Sequence, residues 1–356
     1  MIIFLKVLFF SGLTLIVYTY VGYPLLLAFK REKFFHKDDT YEPHVSMIIT
    51  AYNEERVIKS KLDNSLKLDY PEDKLEIILV SDGSNDETAE IAERFSRIRV
   101  KSLERRGKTS AQNSAVKDSS GDIIVFSDAN NLFQKDAIRK IVRNFIDERV
   151  GVVCGELKYR NIQTSEGLYW AYEKFLKRGE SQLGCLLGAN GSIYALRKKD
   201  YKELETDAIS DFIEPILIYG QGKDIIYEPE AIALEDEPQN IFSRKRRIIL
   251  RSLVSLKYLK HLMNPLKNRN ILFTLFSHKL LRWMMPLFLI LLFIVNIFLV
   301  YHTLYRLIFI FQVIFYCSSI LSKSVLYFIM VNAASLAALI DWCRGEKQIT
   351  WEPDRT

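Results

Sequence analysis

The two ends of the chain are apolar and the middle is not. Residues 7–29 carry no charged side chain, and residues 283–340 are interrupted only by Arg306 and Lys323. A helix of about 20 apolar residues is long enough to cross a bilayer. The pattern predicts one membrane span near the N-terminus and about three near the C-terminus, at about 284–301, 304–321 and 324–341. It leaves open whether the last two are separate helices or a re-entrant pair.

The middle of the chain alternates short β-branched runs with patterns of helical period. Runs such as HVSMIITA and LEIILV are typical of buried strands, and polar turn residues follow them. Alternation of this kind predicts an α/β sandwich with a mainly parallel sheet. The predicted strands are 44–51, 75–80, 98–103, 122–127, 150–154 and 225–235, with a further strand at the end of GANGSIYALR (188–197) after a glycine-containing loop. The predicted helices are 54–68, 88–95, 107–117, 136–148, 166–184 and 206–219, the last helical from about Ser210.

Composition changes this picture little. The chain is 49% hydrophobic and 26% charged, which is close to soluble averages and excludes long disorder, a collagen-like repeat or a small disulfide scaffold. The four cysteines are far apart, without a CxxC pair, and fit buried free thiols better than a zinc site or disulfides. The near-average values result from apolar ends that offset a charged middle.

The net charge of +6 is concentrated in one segment. Eleven Lys or Arg and no Asp or Glu lie between Arg244 and Arg282. Such a segment suits a nucleic acid, an anionic lipid surface or a diphosphate. Its position just before an apolar block favours the membrane, and no nucleic-acid partner is expected. We therefore expect interfacial basic helices over 241–283.

The basic flank of the first span predicts the orientation of the chain. Lys30, Arg31, Lys33 and Lys37 follow that span with only Glu32 between them. By the positive-inside rule this flank faces the cytoplasm, which predicts a multi-pass protein of the inner or plasma membrane with a cytoplasmic middle. The predicted division of the chain is a span within 1–30, a cytoplasmic domain over 40–240, basic helices over 241–283, spans over 284–341 and a tail over 342–356, whose side of the membrane stays open.

Polar residues follow three of the predicted strands. They are Tyr52-Asn53-Glu54-Glu55, Asp82-Gly83-Ser84 and Asp128-Ala129-Asn130. Each alone is compatible with simple helix capping. Because ligands of open α/β sheets bind at the carboxyl ends of the strands, three such groups together indicate a binding site. Asp128 and Asn130 offer the oxygen ligands that a hard divalent cation prefers, and a cation there could hold a diphosphate.

The order of these motifs resembles that of the membrane-anchored family 2 glycosyltransferases, the group that contains cellulose, hyaluronan and poly-N-acetylglucosamine synthases. No single motif is decisive, and the order and spacing carry the resemblance across nearly the whole chain. It implies a GT-A type nucleotide-diphospho-sugar transferase fold for the cytoplasmic domain. The motifs are VSMIITAYNEE (45–55), LVSDGSNDET (79–88), GKTSAQN (107–113), FSDAN (126–130), GANGSIYALR (188–197), ISDF (209–212), IIYEPEAIA (225–233) and ITWEP (349–353).

The resemblance implies a role for each matched position. A nucleotide-diphosphate sugar would be bound by Thr50, Tyr52, Glu54, Asp82, Lys108, Asp128 and Arg244. Asp128 and Asn130 match an Asp-x-Asp metal motif for Mn²⁺ or Mg²⁺, with a neutral amide in place of the second carboxylate. The acceptor side would be shaped by Gly188, Asn190, Gly191 and Ser192.

Asp211 aligns with the catalytic carboxylate of the family, and Ser210 replaces the acid that usually precedes it. Asp211 would be the general base, and Glu214, one turn later, is the alternative base. Arg244 and Arg247 fit the spacing of the Gln-x-x-Arg-Trp motif, with Ile248 in place of Trp, so Arg247 would stabilise the leaving diphosphate. The alternative for each arginine is a contact with lipid headgroups.

The resulting hypothesis is an inverting membrane glycosyltransferase. It would transfer a sugar from a nucleotide-diphosphate donor to a lipid-linked or polysaccharide acceptor in the synthesis of a cell-surface or exported glycan. We expect the donor to be a UDP-sugar. Two alternatives stay open: a processive synthase that exports its product, and a silent partner that binds nucleotide sugar and recruits a synthase. The sequence does not predict the oligomeric state.

Overall fold

The computed structural model describes residues 1–30, 32–160, 167–237 and 240–348. The ITWEP motif at 349–353 and Arg31 of the basic flank lie outside the described residues. Within them, eight strands form one sheet in the order β3-β2-β1-β4-β7-β6-β8-β5. The strands are β1 Val45–Ala51, β2 Leu75–Asp82, β3 Ile98–Leu103, β4 Ile123–Asp128, β5 Asn131–Phe133, β6 Val150–Tyr159, β7 Tyr194–Arg197 and β8 Asp224–Glu235.

The sheet is mixed. Strands β1 to β4 are mutually parallel and β6 is parallel to β8, whereas β7 runs antiparallel to both β4 and β6, and β5 antiparallel to β8. The α/β prediction is confirmed, and β3 has the predicted bounds. The sequence missed β5, which is only three residues long, and placed the end of β6 five residues too early.

The central strand β1 explains the architecture. All seven of its residues are buried, because helices cover both faces of the sheet. Alternate side chains enter two separate cores: Ile48 packs with Phe126 on one face, and Met47 and Ile49 pack with Ile58 on the other. Parallel strands buried in this way bring their carboxyl ends to one edge of the sheet.

The helices around the sheet begin close to the predicted positions, and α8 begins at Ser210 as predicted. The predicted helix over 136–148 is instead a short α-helix followed by a 3₁₀ turn at Arg143–Ile146. The helices before the apolar C-terminal part are α1 Ile2–Val17, α2 Tyr23–Ala28, α3 Glu55–Ser65, α4 Thr88–Glu93, α5 Lys108–Asp118, α6 Ala137–Val142, α7 Gly167–Gln182, α8 Ser210–Tyr219 and α9 Ile241–Ser255.

Four helices in the described residues are long and apolar enough to cross a membrane. Their bounds are Ile2–Ala28, Arg269–Leu299, Thr303–Ile320 and Lys323–Cys343. The last two are separate helices of 18 and 21 residues. The second begins at Arg269, so part of the segment expected to lie in the interface is the start of a long continuous helix. This helix comprises α10 Arg269–Thr274, a π-helical turn at Leu275–Leu280 and α11 Leu281–Leu299, and the remaining two contain α12 Thr303–Cys317 and α13 Lys323–Cys343.

Helix α7 joins the sheet domain to these apolar helices through buried polar contacts. The Glu180 carboxylate, fully buried, accepts a hydrogen bond from the Tyr23 hydroxyl at 2.7 Å and lies 2.5 Å from Nδ1 of His278. Glu173 pairs with Arg282 at 2.5 Å. Buried charges need such partners, so these contacts hold α7 in place against both ends of the chain.

One expectation about the cysteines is wrong. Cys154 and Cys185 are buried free thiols as expected, but Cys317 and Cys343 are exposed. Both exposed cysteines are the last residues of apolar helices, Cys317 of the helix that begins at Thr303 and Cys343 of the helix that begins at Lys323.

Candidate active site

The loops after β1 and β2 are joined to each other at the carboxyl edge of the sheet. Asn53 has a left-handed backbone (φ 51°), which asparagine tolerates better than most residues. Its Oδ1 accepts a hydrogen bond from the Asn85 amide at 2.9 Å, and its own amide donates to Oγ of Ser84 at 3.1 Å. The amide of Glu54 donates to Oγ1 of Thr88 at 2.8 Å. These hydrogen bonds join the loop after β1 to the loop after β2, so the two predicted motifs form one wall of the site.

Arg105 completes this wall, and the sequence analysis missed it. Its guanidinium carbon lies 3.8 Å from the centroid of the Tyr52 ring, and Nη1 donates to the Tyr52 hydroxyl at 2.6 Å. The close approach depends on Gly83, because a Cβ there would lie 2.6 Å from the Arg105 amide nitrogen. The position of Arg105, three residues before the predicted phosphate lysine, is the signal that could have identified it.

Asp82 anchors the turn that leads into α5. Its carboxylate accepts hydrogen bonds from the backbone amides of Arg106 and Gly107, both at 2.9 Å, and it is only 3% exposed. Burial raises the pKa of Asp82, although these two hydrogen bonds act in the opposite direction. Asp82 therefore fixes the first residues of α5, where Lys108 begins the helix.

Three predicted residues meet around Gly191. Lys108 forms an ion pair with Asp128 at the end of β4. A Cβ on Gly191 would lie 2.6 Å from Oδ2 of Asp211 and 2.9 Å from Nζ of Lys108, so a side chain at this position would force these two polar groups to move. The structure thus brings together Lys108, Asp128 and Asp211, which are far apart in the sequence.

Asp211 is held at the N-terminus of α8. Its backbone carbonyl accepts a hydrogen bond from the Ala189 amide at 2.6 Å, which ties the 188–191 loop to the helix, and Gly188 supplies the left-handed turn (φ 80°). Burial raises the pKa of Asp211; the charge of Lys108 opposes the shift and that of Asp128 adds to it. A half-buried carboxylate with a raised pKa is suited to accept a proton.

Glu214, the alternative base, is in a different environment. It is 2% exposed, and its Oε2 accepts a hydrogen bond from the Tyr194 hydroxyl at 3.0 Å. Burial raises its pKa to about 8. The Glu214 side chain is buried in the core, whereas that of Asp211 is partly exposed. This difference favours Asp211 as the residue that meets a substrate.

A second residue missed by the sequence analysis, Glu235, connects three predicted site residues. Nδ2 of Asn130 donates to Oε1 of Glu235 at 3.1 Å, Oγ of Ser192 donates to Oε2 at 3.0 Å, and Nη1 of Arg244 lies 3.3 Å from Oε1. Glu235 is 3% exposed and ends β8. Because it takes up the amide nitrogen of Asn130, it turns the amide oxygen away from itself. The position of Glu235, an acidic residue at the end of a predicted strand, is the signal by which the sequence could have identified it.

A buried lysine, Lys61, contacts the residues on both sides of the Asp128–Asn130 motif. Nζ of Lys61 donates to Oγ of Ser127 at 2.7 Å and to Oδ1 of Asn131 at 3.0 Å, and the side chain is fully buried. Burial lowers the pKa of Lys61 to about 7, and the charge of Asp128 opposes this shift. Thr50, which is paired with Asp128 in the sheet register, is also buried, and its hydroxyl has no hydrogen-bond partner among the described residues.

The other predicted residues lie near these groups but not in the same contacts. Asn190 is bound to the sheet, since its Nδ2 donates to the Gly155 carbonyl at 3.2 Å. Arg247 is half-buried on α9, close enough to Arg251 for their charges to interact. The charge of Arg251 in turn acts on Asp211.

The donor chemistry at Asp128 and Asn130 fits a hard divalent cation, because one carboxylate and one amide oxygen leave several positions for phosphate oxygens and water. Within the described residues no group of three or more His, Cys, Asp or Glu is arranged to hold a metal by itself. The residues therefore suit a cation that binds together with a diphosphate rather than a closed structural metal site.

The fold and this edge of the sheet define the class of protein. The structure is similar to that of a mannosyltransferase, PcManGT from Pyrobaculum calidifontis, solved with GDP-mannose and Mn²⁺: the TM-score is 0.78 at 22% identity, over 96% of this chain and 100% of that chain. At this identity the likeness concerns the fold, and it confirms the predicted GT-A architecture.

The family follows from the sequence comparisons. Residues 46–204 match the model of glycosyl transferase family 2, the family that the sequence motifs resemble. The chain is 32% identical to a probable glycosyltransferase, YdaM, of Bacillus subtilis, over 66% of this chain and 61% of that protein. It is 32% identical to the poly-β-1,6-N-acetyl-D-glucosamine synthase of Staphylococcus aureus, over 55% of this chain and 51% of that protein. The match thus extends over only part of each relative, and both relatives carry the name of a glycosyltransferase or a polysaccharide synthase.

Proposed function

We propose that the protein is an inverting membrane glycosyltransferase that transfers a sugar from a UDP-sugar to a lipid-linked or polysaccharide acceptor in the synthesis of a cell-surface or exported glycan. The observation that carries this proposal is the meeting of Lys108, Asp128 and Asp211 around Gly191. A cation-binding carboxylate and a lysine are suited to the diphosphate, and a second carboxylate beside them is suited to the acceptor.

Asp211 acts as the general base in this proposal. It takes the proton of the acceptor hydroxyl while the hydroxyl oxygen attacks the anomeric carbon from the face opposite the diphosphate. The bond from the anomeric carbon to the diphosphate oxygen breaks, and the configuration inverts. The raised pKa of Asp211 favours proton uptake, and the buried position of Glu214 argues against the alternative base.

The leaving diphosphate is placed beside Lys108, with Arg244 and Arg247 of α9 as further donors. A Mn²⁺ or Mg²⁺ ion bound by Asp128 and the amide oxygen of Asn130 would supply additional positive charge to the diphosphate. Lys108 is paired with Asp128 in this structure, so donor binding exchanges part of that pair for phosphate contacts. Charge placed in advance where negative charge develops is the main source of stabilisation in such a reaction.

The four apolar helices place the protein in a membrane in this proposal, with the sheet domain on the cytoplasmic side of the cell membrane. The basic flank after the first apolar helix and the basic segment on α9 support this orientation. The similarity to a polysaccharide synthase supports the processive variant, whereas the absence of the tryptophan of the acceptor motif supports limited additions.

The direct test is Asp211→Asn in the purified full chain. UDP-sugars and GDP-sugars are screened by thermal shift with and without Mn²⁺, and transfer or donor hydrolysis is measured as release of UDP. Asp211→Asn should retain donor binding and reduce transfer at least about a hundredfold, because the amide cannot accept the proton. Asp73→Asn, an exposed carboxylate, is the matched control.

Normal turnover by Asp211→Asn would exclude this residue as the base. A wild-type chain that binds a UDP-sugar but neither transfers nor hydrolyses it would instead support the silent-partner alternative.

A further inference from the structure

A second group of basic side chains lies near α7, on α9 and the long helix Arg269–Leu299. We call Lys245, Lys279 and Arg282 the membrane-side basic cluster. Lys245 belongs to α9, and the other two belong to the long helix. The charge of Glu173 on α7 acts on all three. Nζ of Lys245 and Cζ of Arg282 lie 5.7 and 5.9 Å from the centroid of the same ring, that of Tyr169.

The charges in this cluster are not balanced. The carboxylate that faces it, Glu173, is already 2.5 Å from Arg282 and 3.6 Å from Nε2 of His278. Glu180 is bound to Tyr23 and His278. Among the described residues, no carboxylate lies within 4.0 Å of the Lys245 or Lys279 ammonium.

Burial makes this imbalance significant. Both lysines are only partly exposed. Burial lowers the pKa of Lys245 to about 8; the charge of Glu173 opposes the shift, and those of Arg244, Lys279 and Arg282 add to it. Lys177 of α7 is a further cation that acts on Lys279. Half-buried ammonium groups crowded in this way are unfavourable unless an anion binds between them.

The cluster is electrostatically linked to the proposed base. The charge of Lys279 acts on Asp211, as do those of Lys108, Asp128 and Arg251. The helix that carries Lys279 and Arg282 is long and apolar enough to cross a membrane. An anion held by the cluster would therefore be bound to a segment that extends from the basic region into the proposed membrane span.

We propose that the membrane-side basic cluster binds a phosphoryl group of the acceptor, which is then a membrane lipid that carries a phosphate or diphosphate next to the attacked sugar hydroxyl. This inference rests on the proposed function, and it selects the lipid-linked acceptor over a neutral polysaccharide. Lysine and arginine are the usual phosphate ligands, and phosphate placed at Lys245 and Lys279 would neutralise charges that the protein leaves unpaired.

The same phosphate chemistry is present in ordinary anionic phospholipids, so the experiment has to separate the two sources. The full chain in detergent is titrated with a long-chain polyprenyl diphosphate, the corresponding neutral polyprenol and phosphatidylglycerol, and bound lipid is measured by native mass spectrometry. The test variant is Lys245→Gln/Lys279→Gln. The matched control is Lys260→Gln/Lys267→Gln, which removes the same charge from two exposed positions of the same basic segment.

The wild-type chain should prefer the polyprenyl diphosphate to both other lipids. The test variant should lose about tenfold or more of that affinity, as expected for charged hydrogen bonds, and the control variant should lose less than about twofold. Unchanged affinity in the test variant would overturn the proposal. An equal loss for phosphatidylglycerol, without preference for the diphosphate, would also overturn it, since the cluster would then be a general headgroup site.

Donor binding provides the independent check. UDP-sugar binding without acceptor is measured on the same preparations and should be unaffected by Lys245→Gln/Lys279→Gln, and hydrolysis of the donor is measured on the wild-type chain. If the wild-type chain does not hydrolyse the donor, the proposed function is contradicted and the lipid site is not. If it hydrolyses the donor but shows no preference for the polyprenyl diphosphate, only the lipid site is contradicted.

Discussion

The nucleotide edge of the sheet and the membrane-side half of the molecule are built by different means. We use nucleotide edge for the carboxyl ends of β1, β2 and β4 with the start of α5. Its contacts are backbone and side-chain hydrogen bonds between loops, such as those of Asn53 with Ser84 and Asn85. The membrane-side half is held by ion pairs across long sequence distances, such as that of Glu173 with Arg282.

The difference indicates a division of roles. At the nucleotide edge, Lys108 and Asp128 are paired but partly exposed, with 16% and 30% of their side chains accessible, so a ligand can compete for them. At the membrane side, Glu180 and His278 are almost fully buried and their pairing has no access to solvent. Charges at the first region are available for chemistry, and most of those at the second hold helices together.

The largest effect is expected from breaking the membrane-side half. Arg282→Gln leaves the Glu173 carboxylate without its closest cation, and removal of one partner of a buried ion pair costs about 3 kcal/mol or more of the free energy of unfolding. We expect a clear decrease in the Tm of the full chain in detergent. Arg269→Gln, an exposed arginine of the same long helix, is the control. A Tm equal to that of the control would mean that the pair contributes nothing to stability.

The comparison also separates what the sequence predicts from what it does not. Asp82 and Asp128 were predicted because each lies at the end of a predicted strand, and their strands share an edge because β1, β2 and β4 are parallel. Lys108 and Asp211 were predicted only from the resemblance of their motifs to those of family 2 glycosyltransferases. The structure brings Lys108, Asp128 and Asp211 together around Gly191.

Residues whose role depends on pairing across the sheet were missed. Glu235 meets Asn130 because β5 lies antiparallel to β8 and places Asn131 opposite Glu235. A three-residue strand has too little pattern to be predicted, so its neighbour in the sheet could not be inferred either. The contacts of α7 with Tyr23 and His278 were missed for the same reason, because they join segments separated by about 100 residues or more.

An intermediate effect on the free energy of unfolding is expected at the nucleotide edge when Asn130 and Glu235 are each replaced, Asn130 by an acid and Glu235 by an amide. Asn130→Asp restores the acidic motif of the family but places a second carboxylate 3.1 Å from a buried one. We expect a loss of about 1–2 kcal/mol in the free energy of unfolding, because like charges meet and a hydrogen bond is lost. Glu235→Gln in the same chain should recover most of this loss.

The measurement is a double-mutant cycle on Tm, with Mn²⁺ affinity determined by titration calorimetry in the presence of UDP. The double variant should bind Mn²⁺ at least as tightly as the wild-type chain, since a carboxylate replaces an amide ligand. Additive effects of the two substitutions would show that Asn130 and Glu235 do not depend on each other, and that the neutral residue at 130 has another origin.

The third effect depends on pH and vanishes near pH 5; it is expected from Glu214, a buried residue of α8. Burial raises its pKa to about 8 from an ordinary value of 4.5, so the native state holds a proton there that the unfolded state releases above pH 4.5. This group therefore makes the protein less stable as the pH rises from 4.5 to 8.

Glu214→Gln keeps the shape of the side chain and an oxygen that can accept the hydrogen bond of the Tyr194 hydroxyl, but it cannot ionise. The variant should match the wild-type Tm near pH 5 and exceed it near pH 8, with Glu203→Gln, an exposed glutamate, as the control. Parallel Tm curves across this range would mean that Glu214 ionises normally in the folded chain, in which case it would again be a candidate for the base.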